Sequence, residues 1–213
     1  MNVRTETAGT REQRKQQTRE ELLASALALL ESKSFGALSL REVARGAGVV
    51  PTAFYRHFES MDKLGLALVD ESFRSLREML REARSGPLEP QHVIRSSVKI
   101  LVEHVRGNQR HFRFIARERY SGDPALRQAI RAEIRLISTE LAADLRRFPY
   151  LGEWEMDDLM ALAGLLVNAM VLTVEEILEA VPRGSRAESE VIATAERQLA
   201  MIVVGVPLWR GAD

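Results

Sequence analysis

Hydrophobic residues recur along this chain every three or four positions, which is the spacing of amphipathic α-helices. Leu22, Ala26 and Leu30 show this spacing near the N-terminus, and the row from Leu126 to Leu141 shows it in the middle of the chain. No stretch of four to eight residues alternates between apolar and polar positions as a half-buried strand does. The sequence therefore predicts an all-α fold of about nine helices.

Caps and breakers set the expected helix boundaries. Ser39 followed by Glu42 is a capping box, Pro51 suits the first turn of a helix, and Asp123 before Pro124 is an N-cap followed by proline at the first position. The predicted helices are approximately residues 10–34, 40–46, 51–58, 61–84, 90–105, 109–120, 124–147, 154–180 and 188–207.

The sequence Ser85-Gly86-Pro87 is the clearest break in the helical pattern and divides the chain into two regions. We expect a small domain of three helices over residues 10–60, followed by a linking helix over 61–84. Residues 85–213 then form a larger helical domain.

Composition narrows the class of protein. Hydrophobic residues make up 46% of the 213 residues and charged residues 28%, as in ordinary globular proteins. There is no cysteine, which excludes disulfides, cysteine-ligated metals and thiol catalysis and favours a reducing cytoplasm. The polar N-terminus lacks the apolar stretch of a signal peptide. The apolar run from Leu159 to Val174 is shorter than the roughly 20 residues that span a bilayer, so we interpret it as a buried helix and expect no membrane partner.

Charge is unevenly distributed although it sums to zero. Residues 1–63 carry 10 Lys or Arg and 8 Asp or Glu, residues 64–147 carry 16 and 11, and residues 148–213 carry 4 and 11. Phosphate would repel the acidic C-terminal third. Any contact with nucleic acid is therefore expected from the N-terminal part.

The segment SLREVARGAGVVPTAFYRHFESMDKL, residues 39–64, has the layout of a helix-turn-helix. Phe54 and Phe58, four residues apart, are expected to bury one face of its second helix. The other face carries hydroxyl, guanidinium, imidazole and methyl groups, which suit phosphate oxygens, guanine edges and the thymine methyl group. The basic residues nearer the N-terminus form either an arm in the minor groove or a solvated segment; they are Arg4, Arg11, Arg14 and Lys15.

This segment resembles the N-terminal signature of the TetR family of bacterial one-component repressors. The resemblance implies that three helices bind double-stranded operator DNA, that a fourth links them to a ligand-binding domain, and that the last two helices form a homodimer. By position it implies phosphate contacts from Thr52, Tyr55 and His57 and base contacts from Ala53 and Arg56. Ser39 matches the cap of the second helix beside the DNA backbone, and Pro51 opens the recognition helix. One departure is Met61 where the family often has lysine, with Lys63 nearby as the candidate contact.

The motif PTAFYRHF and the stretch FRFIARERYSGDPALRQAIRAEI resemble the DesT/FabR-type branch, which regulates unsaturated fatty-acid synthesis. That branch implies a long-chain acyl-CoA effector, such as oleoyl-CoA or palmitoyl-CoA, whose acyl shape sets the affinity for DNA. It also implies control of genes for fatty-acid desaturation or unsaturated fatty-acid synthesis, and no bound cofactor. The alternative is a TetR-like repressor of an efflux system that responds to drugs or other hydrophobic small molecules.

An acyl-CoA requires an apolar tunnel with a cationic mouth. The same apolar positions also suit an ordinary helical core, and surface arginines are usually solvated or paired. The candidate ligand-binding residues are Phe112, Arg113, Phe114, Arg117, Ile137, Leu141, Leu166, Val167 and Met170.

Small and aliphatic residues on the last two long helices suit a four-helix dimer seam. The alternative is that they close the core of a single chain. The candidates are Ala161, Leu165, Asn168, Leu172, Leu199, Ile202, Val203 and Val206.

Enzymatic activity is not expected. The sequence has no glycine-rich phosphate loop, no G-x-S-x-G motif and no H-E-x-x-H motif, and its histidines lack the spacing of a helix-borne metal site, so we assign neither catalytic nor metal-binding residues. A purely structural helical protein is the other class considered, and it would leave Tyr55, Arg56 and His57 without a role.

Overall fold

The computed structural model describes residues 3–83, 90–120, 122–148 and 150–209. Within these residues there are nine α-helices and no strand, which confirms the predicted all-α class. The helices are α1 (Val3–Leu29), α2 (Leu40–Gly46), α3 (Pro51–Phe54), α4 (Met61–Ala83), α5 (Pro90–Gly107), α6 (Gln109–Glu118), α7 (Pro124–Leu145), α8 (Met156–Ala180) and α9 (Ser185–Gly205). Short 3₁₀ turns occupy Phe35–Ala37, Val181–Arg183 and Val206–Leu208.

The bounds of α2 agree with the prediction, and the start of α7 follows from its cap. Asp123 Oδ1 accepts hydrogen bonds from the backbone N–H groups of Ala125 and Leu126 at 2.9 and 3.1 Å, as an N-cap carboxylate should. The helix α1 ends at Leu29 rather than at residue 34, since the chain continues from residue 30 as turns. Three further bounds were wrong. The helix α1 begins at Val3 rather than at residue 10, because the single Gly9 does not interrupt it. The helix α9 begins at Ser185 rather than 188, because Gly184 at φ 96° turns the chain in one residue.

The third of these further bounds is the end of α3, which is a four-residue helix rather than an eight-residue one. The chain continues beyond Phe54 as hydrogen-bonded turns, in which Arg56 N–H donates to Ala53 O and His57 N–H donates to Phe54 O. We call residues 51–58 the recognition segment. The predicted break at residues 85–87 and Ser121 lie outside the described residues.

Contacts divide the chain into two compact units. The first contains residues 1–72 together with 114–129, and the second contains residues 73–113 and 130–213. The helices α4, α6 and α7 each contribute residues to both units. Sequence analysis does not predict that residues 114–129 join the N-terminal unit.

The first unit is built on the apolar face of α1, which packs on α2, while α2 packs on α3. Among the described residues its core is apolar except for two buried polar side chains, the Ser72 hydroxyl, which donates to Leu68 O, and the Glu118 carboxylate. The buried side chains include Leu22, Leu23, Ala26, Leu27, Leu30, Phe35, Val43, Ala44, Phe54, Phe58, Leu64 and Leu68.

The second unit is built on α5, α8 and α9, which pack on one another, and on a cluster formed by α7 and α8. A bidentate ion pair joins α5 to α9: the Arg106 guanidinium donates to both carboxylate oxygens of Glu188 at 2.6 Å. This partner holds the pKa of Glu188 below its usual value. Arg77 and Glu133 form a second ion pair between α4 and α7.

The helices α8 and α9 are apolar but poorly covered within one chain. By length and composition alone each qualifies as a candidate membrane span, a test that core helices of soluble proteins also pass. The helix α8 has 25 residues, so it is longer than the apolar run Leu159–Val174 that we judged too short to span a bilayer. Only 33% of the most apolar window of α8, and 11% of that of α9, is buried.

Candidate nucleic-acid interface

The N-terminus of α2 is fixed by the predicted capping box. Ser39 Oγ accepts the N–H of Glu42 at 3.3 Å, and the Glu42 carboxylate accepts the N–H of Ser39 at 3.2 Å. Lys33 Nζ donates to the same carboxylate at 2.5 Å. The bond from Lys33, followed by those from the Ser39 hydroxyl and N–H, lowers the pKa of Glu42 to about 2. The chain is thus anchored where it enters the helix-turn-helix.

The turn between α2 and α3 depends on Gly48, which has φ 67°, a conformation that costs about 1–2 kcal/mol for residues with a Cβ. Val49 N–H then donates to Ala44 O at 2.9 Å, which closes the turn onto α2. A second glycine allows close packing beside it: a Cβ at Gly46 would stand 2.2 Å from Ser25 Oγ, which donates to Val43 O at 2.9 Å. These glycines set the position of α3 against α1 and α2.

The recognition segment buries its phenylalanines and exposes its polar side chains. Phe54 and Phe58 are buried with ring centroids 5.7 Å apart. Thr52, Tyr55 and Arg56 are exposed, and their side chains make no hydrogen bond or ion pair with other described residues. Donor groups that the protein does not satisfy are therefore available to an external partner.

Arg19 of α1 fixes the end of this segment. Its guanidinium donates to His57 O at 3.1 Å and lies 4.3 Å from the centroid of the Phe58 ring. The first contact satisfies a backbone carbonyl that lies after the end of α3. The second is a cation–π contact.

His57 lies in a positively charged environment. Burial lowers the pKa of this half-buried imidazole, and the charges of Lys15, Arg19 and Arg56 lower it further. Three cations around one neutral ring create a local field that attracts an anion.

The predicted DNA-binding residues lie in positions that allow contact with solvent. Ser39, Pro51, Thr52, Tyr55, Arg56 and Lys63 are exposed, and Ala53 and His57 are half-buried. Lys63 lies in the first turn of α4, where its N–H donates to Ser60 Oγ at 3.3 Å. Their contact with DNA remains a prediction.

The predicted ligand-binding residues are divided between the two units. Phe114 and Arg117 belong to the first unit, and the other seven belong to the second. Phe114, Ile137 and Val167 are buried, and Leu141 and Leu166 pack against the buried cluster of α7 and α8. Ligand contact is untested for all nine, including Phe112, whose ring meets His104 edge-on, the half-buried Met170, and Arg113, which donates to Gln109 Oε1 at 3.3 Å.

The end of α6 carries two adjacent residues that hold the loop after α1. Arg117 donates to Leu30 O at 3.0 Å and to Lys33 O at 2.8 Å, two carbonyls that follow the end of α1. Glu118, only 1% exposed, accepts the N–H of Phe35 at 3.1 Å, while its Oε2 has no partner among the described residues. Sequence analysis missed Glu118, although it is the only acidic residue of α6.

The predicted dimer residues of α8 form an exposed face: Ala161, Leu165, Asn168 and Leu172 follow one another at intervals of four, three and four. On α9, Leu199 is buried by its own chain and Val203 is half-buried. Ile202 of α9 and Val206 of the following 3₁₀ turn pack against the buried cluster. Among the described residues no group of three His, Asp or Glu side chains is placed to hold a metal ion.

Comparison with known protein families identifies the N-terminal segment of the chain. Residues 22–68, from α1 to α4, match the family model of bacterial regulatory proteins of the tetR family. This segment is therefore a TetR-family N-terminal domain, and it contains the helix-turn-helix described above.

The whole chain shares its fold with solved TetR-family regulators. One from Syntrophomonas wolfei, described as putative, has a TM-score of 0.74 at 12% identity, covering 89% of this chain and 96% of the other. One from Streptomyces coelicolor has a TM-score of 0.68 at 19% identity, with 90% and 97% covered. The transcriptional regulator FadR from Bacillus subtilis, solved in complex with stearoyl-CoA, has a TM-score of 0.68 at 14% identity, with 87% and 98% covered. These solved structures show the fold that the chain shares, and the tetR family model covers its N-terminal segment, residues 22–68.

Proposed function

We propose that this protein is a cytoplasmic one-component repressor that binds operator DNA as a homodimer and responds to a long-chain acyl-CoA. The observation that carries the proposal is the recognition segment. Its exposed Thr52, Tyr55 and Arg56 are unpaired within the described residues, and both ends of the helix-turn-helix are anchored, by the Ser39 cap and by Arg19. A preorganised set of donors of this kind suits the major groove.

The dimer is supported by the apolar faces that a single chain leaves uncovered. Leu165 and Leu172 on α8 are 59% and 56% exposed, and Met201 and Val204 on α9 are 67% and 71% exposed. Large apolar side chains exposed on both helices are typical of an interaction surface. A twofold copy would cover it with the same face. Leu199, already buried by its own chain, is left out of the proposed seam.

The acyl-CoA effector is supported by FadR from Bacillus subtilis, whose fold this chain shares and which was solved with stearoyl-CoA. The basic surplus of residues 64–147 suits the phosphates of a CoA head group. The proposal that the protein controls genes for desaturation or unsaturated fatty-acid synthesis is supported by the sequence motifs of residues 51–58 and 112–134.

The proposed mechanism is a shift between two dimer conformations. Two recognition segments must lie about 34–36 Å apart, or a multiple of it, to enter successive major grooves. A ligand changes DNA affinity only if it prefers one spacing. Because α4, α6 and α7 each contribute residues to both units, we assign transmission of the change to these helices.

The test begins by selecting tightly bound duplexes from a random DNA library and measuring their affinity by fluorescence anisotropy at fixed salt. We expect Arg56→Ala to loosen sequence preference by about 1–3 kcal/mol and His57→Ala to weaken binding to all sequences similarly. The reverse pattern would show that the base and phosphate contacts are assigned wrongly. Absence of any selected duplex would refute DNA binding.

The effector is tested on the same complex with stearoyl-CoA and oleoyl-CoA in separate titrations. We expect the saturated and the monounsaturated ligand to shift DNA affinity in opposite directions. Equal shifts would refute a saturation sensor, and tight DNA binding with no response to either would leave a repressor of another ligand class, such as a drug-responsive one.

A further inference from the structure

The helix α1 extends well beyond the core that it helps to form. From Arg11 onward its first buried residue is Leu22, and every residue from Arg11 to Gln17 is exposed. The part from Val3 to Gln17 spans about 22 Å at a rise of about 1.5 Å per residue. The sequence left open an arm in the minor groove or a solvated segment here, and the structure has a helix in which residues 11–17 are all exposed.

One face of this extension is basic. Arg11, Lys15 and Arg19 are four residues apart and therefore lie in one row along the helix, with Arg14 beside it. Residues 11–19 contain these four basic residues and a single acidic one, Glu12. The next acidic residues, Glu20 and Glu21, accept hydrogen bonds from Gln16 and Gln17 on other faces of the helix.

The row faces the recognition segment, because Arg19, its last member, donates to His57 O and stacks on Phe58. Lys15, one turn closer to the N-terminus, acts on the pKa of the His57 imidazole, which places its charge beside the same segment. Arg11 follows one further turn away, about 6 Å along the axis. The row thus continues the surface of the recognition segment outward from His57.

We propose that the N-terminal half of α1 is a second DNA-contacting element, in which Arg11, Arg14 and Lys15 bind phosphates flanking the major groove entered by the recognition segment. This inference rests on the proposed DNA binding and adds a contact outside the helix-turn-helix. Duplex DNA is the partner because its regularly spaced phosphates complement a row of cations continuous with a DNA-reading surface. The contact adds affinity for any sequence and does not discriminate between bases.

The experiment compares Arg11→Ala/Lys15→Ala with the wild type on a selected duplex, by anisotropy over a series of salt concentrations. Each lost phosphate contact lowers the slope of log affinity against log salt by about 0.9, and a dimer carries each residue twice, so we expect a decrease of about 3–4. The matched control is Arg183→Ala/Arg186→Ala, which removes the same charge from exposed side chains of the other unit and should leave the slope unchanged. Arg11→Lys/Lys15→Arg keeps both charges and should keep the wild-type slope.

Shortening the duplex provides a second measurement. Removing the flanks on both sides should weaken wild-type binding and leave the affinity of Arg11→Ala/Lys15→Ala nearly unchanged. A wild-type slope in that variant, with binding still lost in Arg56→Ala, would overturn the α1 contact and leave the proposed function standing. Failure of the wild type to bind any duplex would overturn both.

Discussion

The close packing of Gly65 against Phe35 and Leu126 in the first unit allows a quantitative prediction. A methyl group added at Gly65 in α4 would stand 2.5 Å from Cζ and 2.9 Å from Cε2 of Phe35, and 3.0 Å from Cδ2 of Leu126. The backbone N–H of Phe35 donates a hydrogen bond to Glu118, and both Phe35 and Leu126 are buried. Neither side chain can move without disturbing the core.

The expected effect of Gly65→Ala combines two opposed terms. Replacing glycine by alanine inside a helix gains about 1 kcal/mol, whereas overpacking a dense core costs about 1–3 kcal/mol. We therefore expect a net destabilisation of up to about 2 kcal/mol. Gly107→Ala is the control, because Gly107 closes α5 with nothing within 4 Å of an added Cβ, and it should be neutral or slightly stabilising.

The assay is urea unfolding followed by circular dichroism at one protein concentration, supported by thermal unfolding, in which about 1 kcal/mol shifts Tm by roughly 2–4 °C. Phe35→Leu removes the two nearest ring atoms, so Gly65→Ala should cost less in that background, with a coupling of at least about 0.5 kcal/mol. The reasoning is refuted if Gly65→Ala stabilises the protein as Gly107→Ala does, or if the two substitutions are additive.

Three further predictions concern titration and assembly. The lowered pKa of Glu42 contributes stability that is present above its unfolded pKa near 4.5 and is lost as the pH falls towards 2; Lys33→Ala should weaken this dependence in urea unfolding between pH 5 and pH 2.5, and an identical profile would contradict the assigned cause. Because His57 has a lowered pKa in the free protein and DNA phosphates favour its charged form, DNA binding should take up a proton, so affinity should rise as the pH falls from about 8 to 6, and His57→Ala should flatten that rise. Leu172→Glu places a charge on the exposed apolar face of α8 and should convert dimer to monomer in sedimentation velocity; a dimer of unchanged stability would place the seam elsewhere.

Local signals in the sequence were sufficient for the helix-turn-helix. The capping box of Ser39 and Glu42 fixed the start of α2, and the four-residue spacing of Phe54 and Phe58 identified the buried face of the recognition segment. These features depend on neighbours within a few residues, which is the range over which periodicity and capping act.

The features that could not be predicted from the sequence depend on contacts between residues that are far apart in the chain. The end of the recognition segment is held by Arg19, 38 residues before the carbonyl that it binds, and the loop after α1 is held by Arg117, more than 80 residues later. An arginine on an amphipathic helix is the same in the sequence whether it meets solvent, a phosphate or a backbone carbonyl. For the same reason Leu199 was indistinguishable from its exposed neighbours on α9.

The first unit contains residues 114–129, so it cannot be completed early in translation. Its core requires Leu126, and its loop after α1 is held by Arg117 and Glu118, all of which are translated long after the recognition segment. Since domains fold as units while the chain leaves the ribosome, the DNA-reading surface is complete only when α5, α6 and the start of α7 have emerged. A nascent chain that stops before these helices therefore lacks part of the support of its DNA-binding unit.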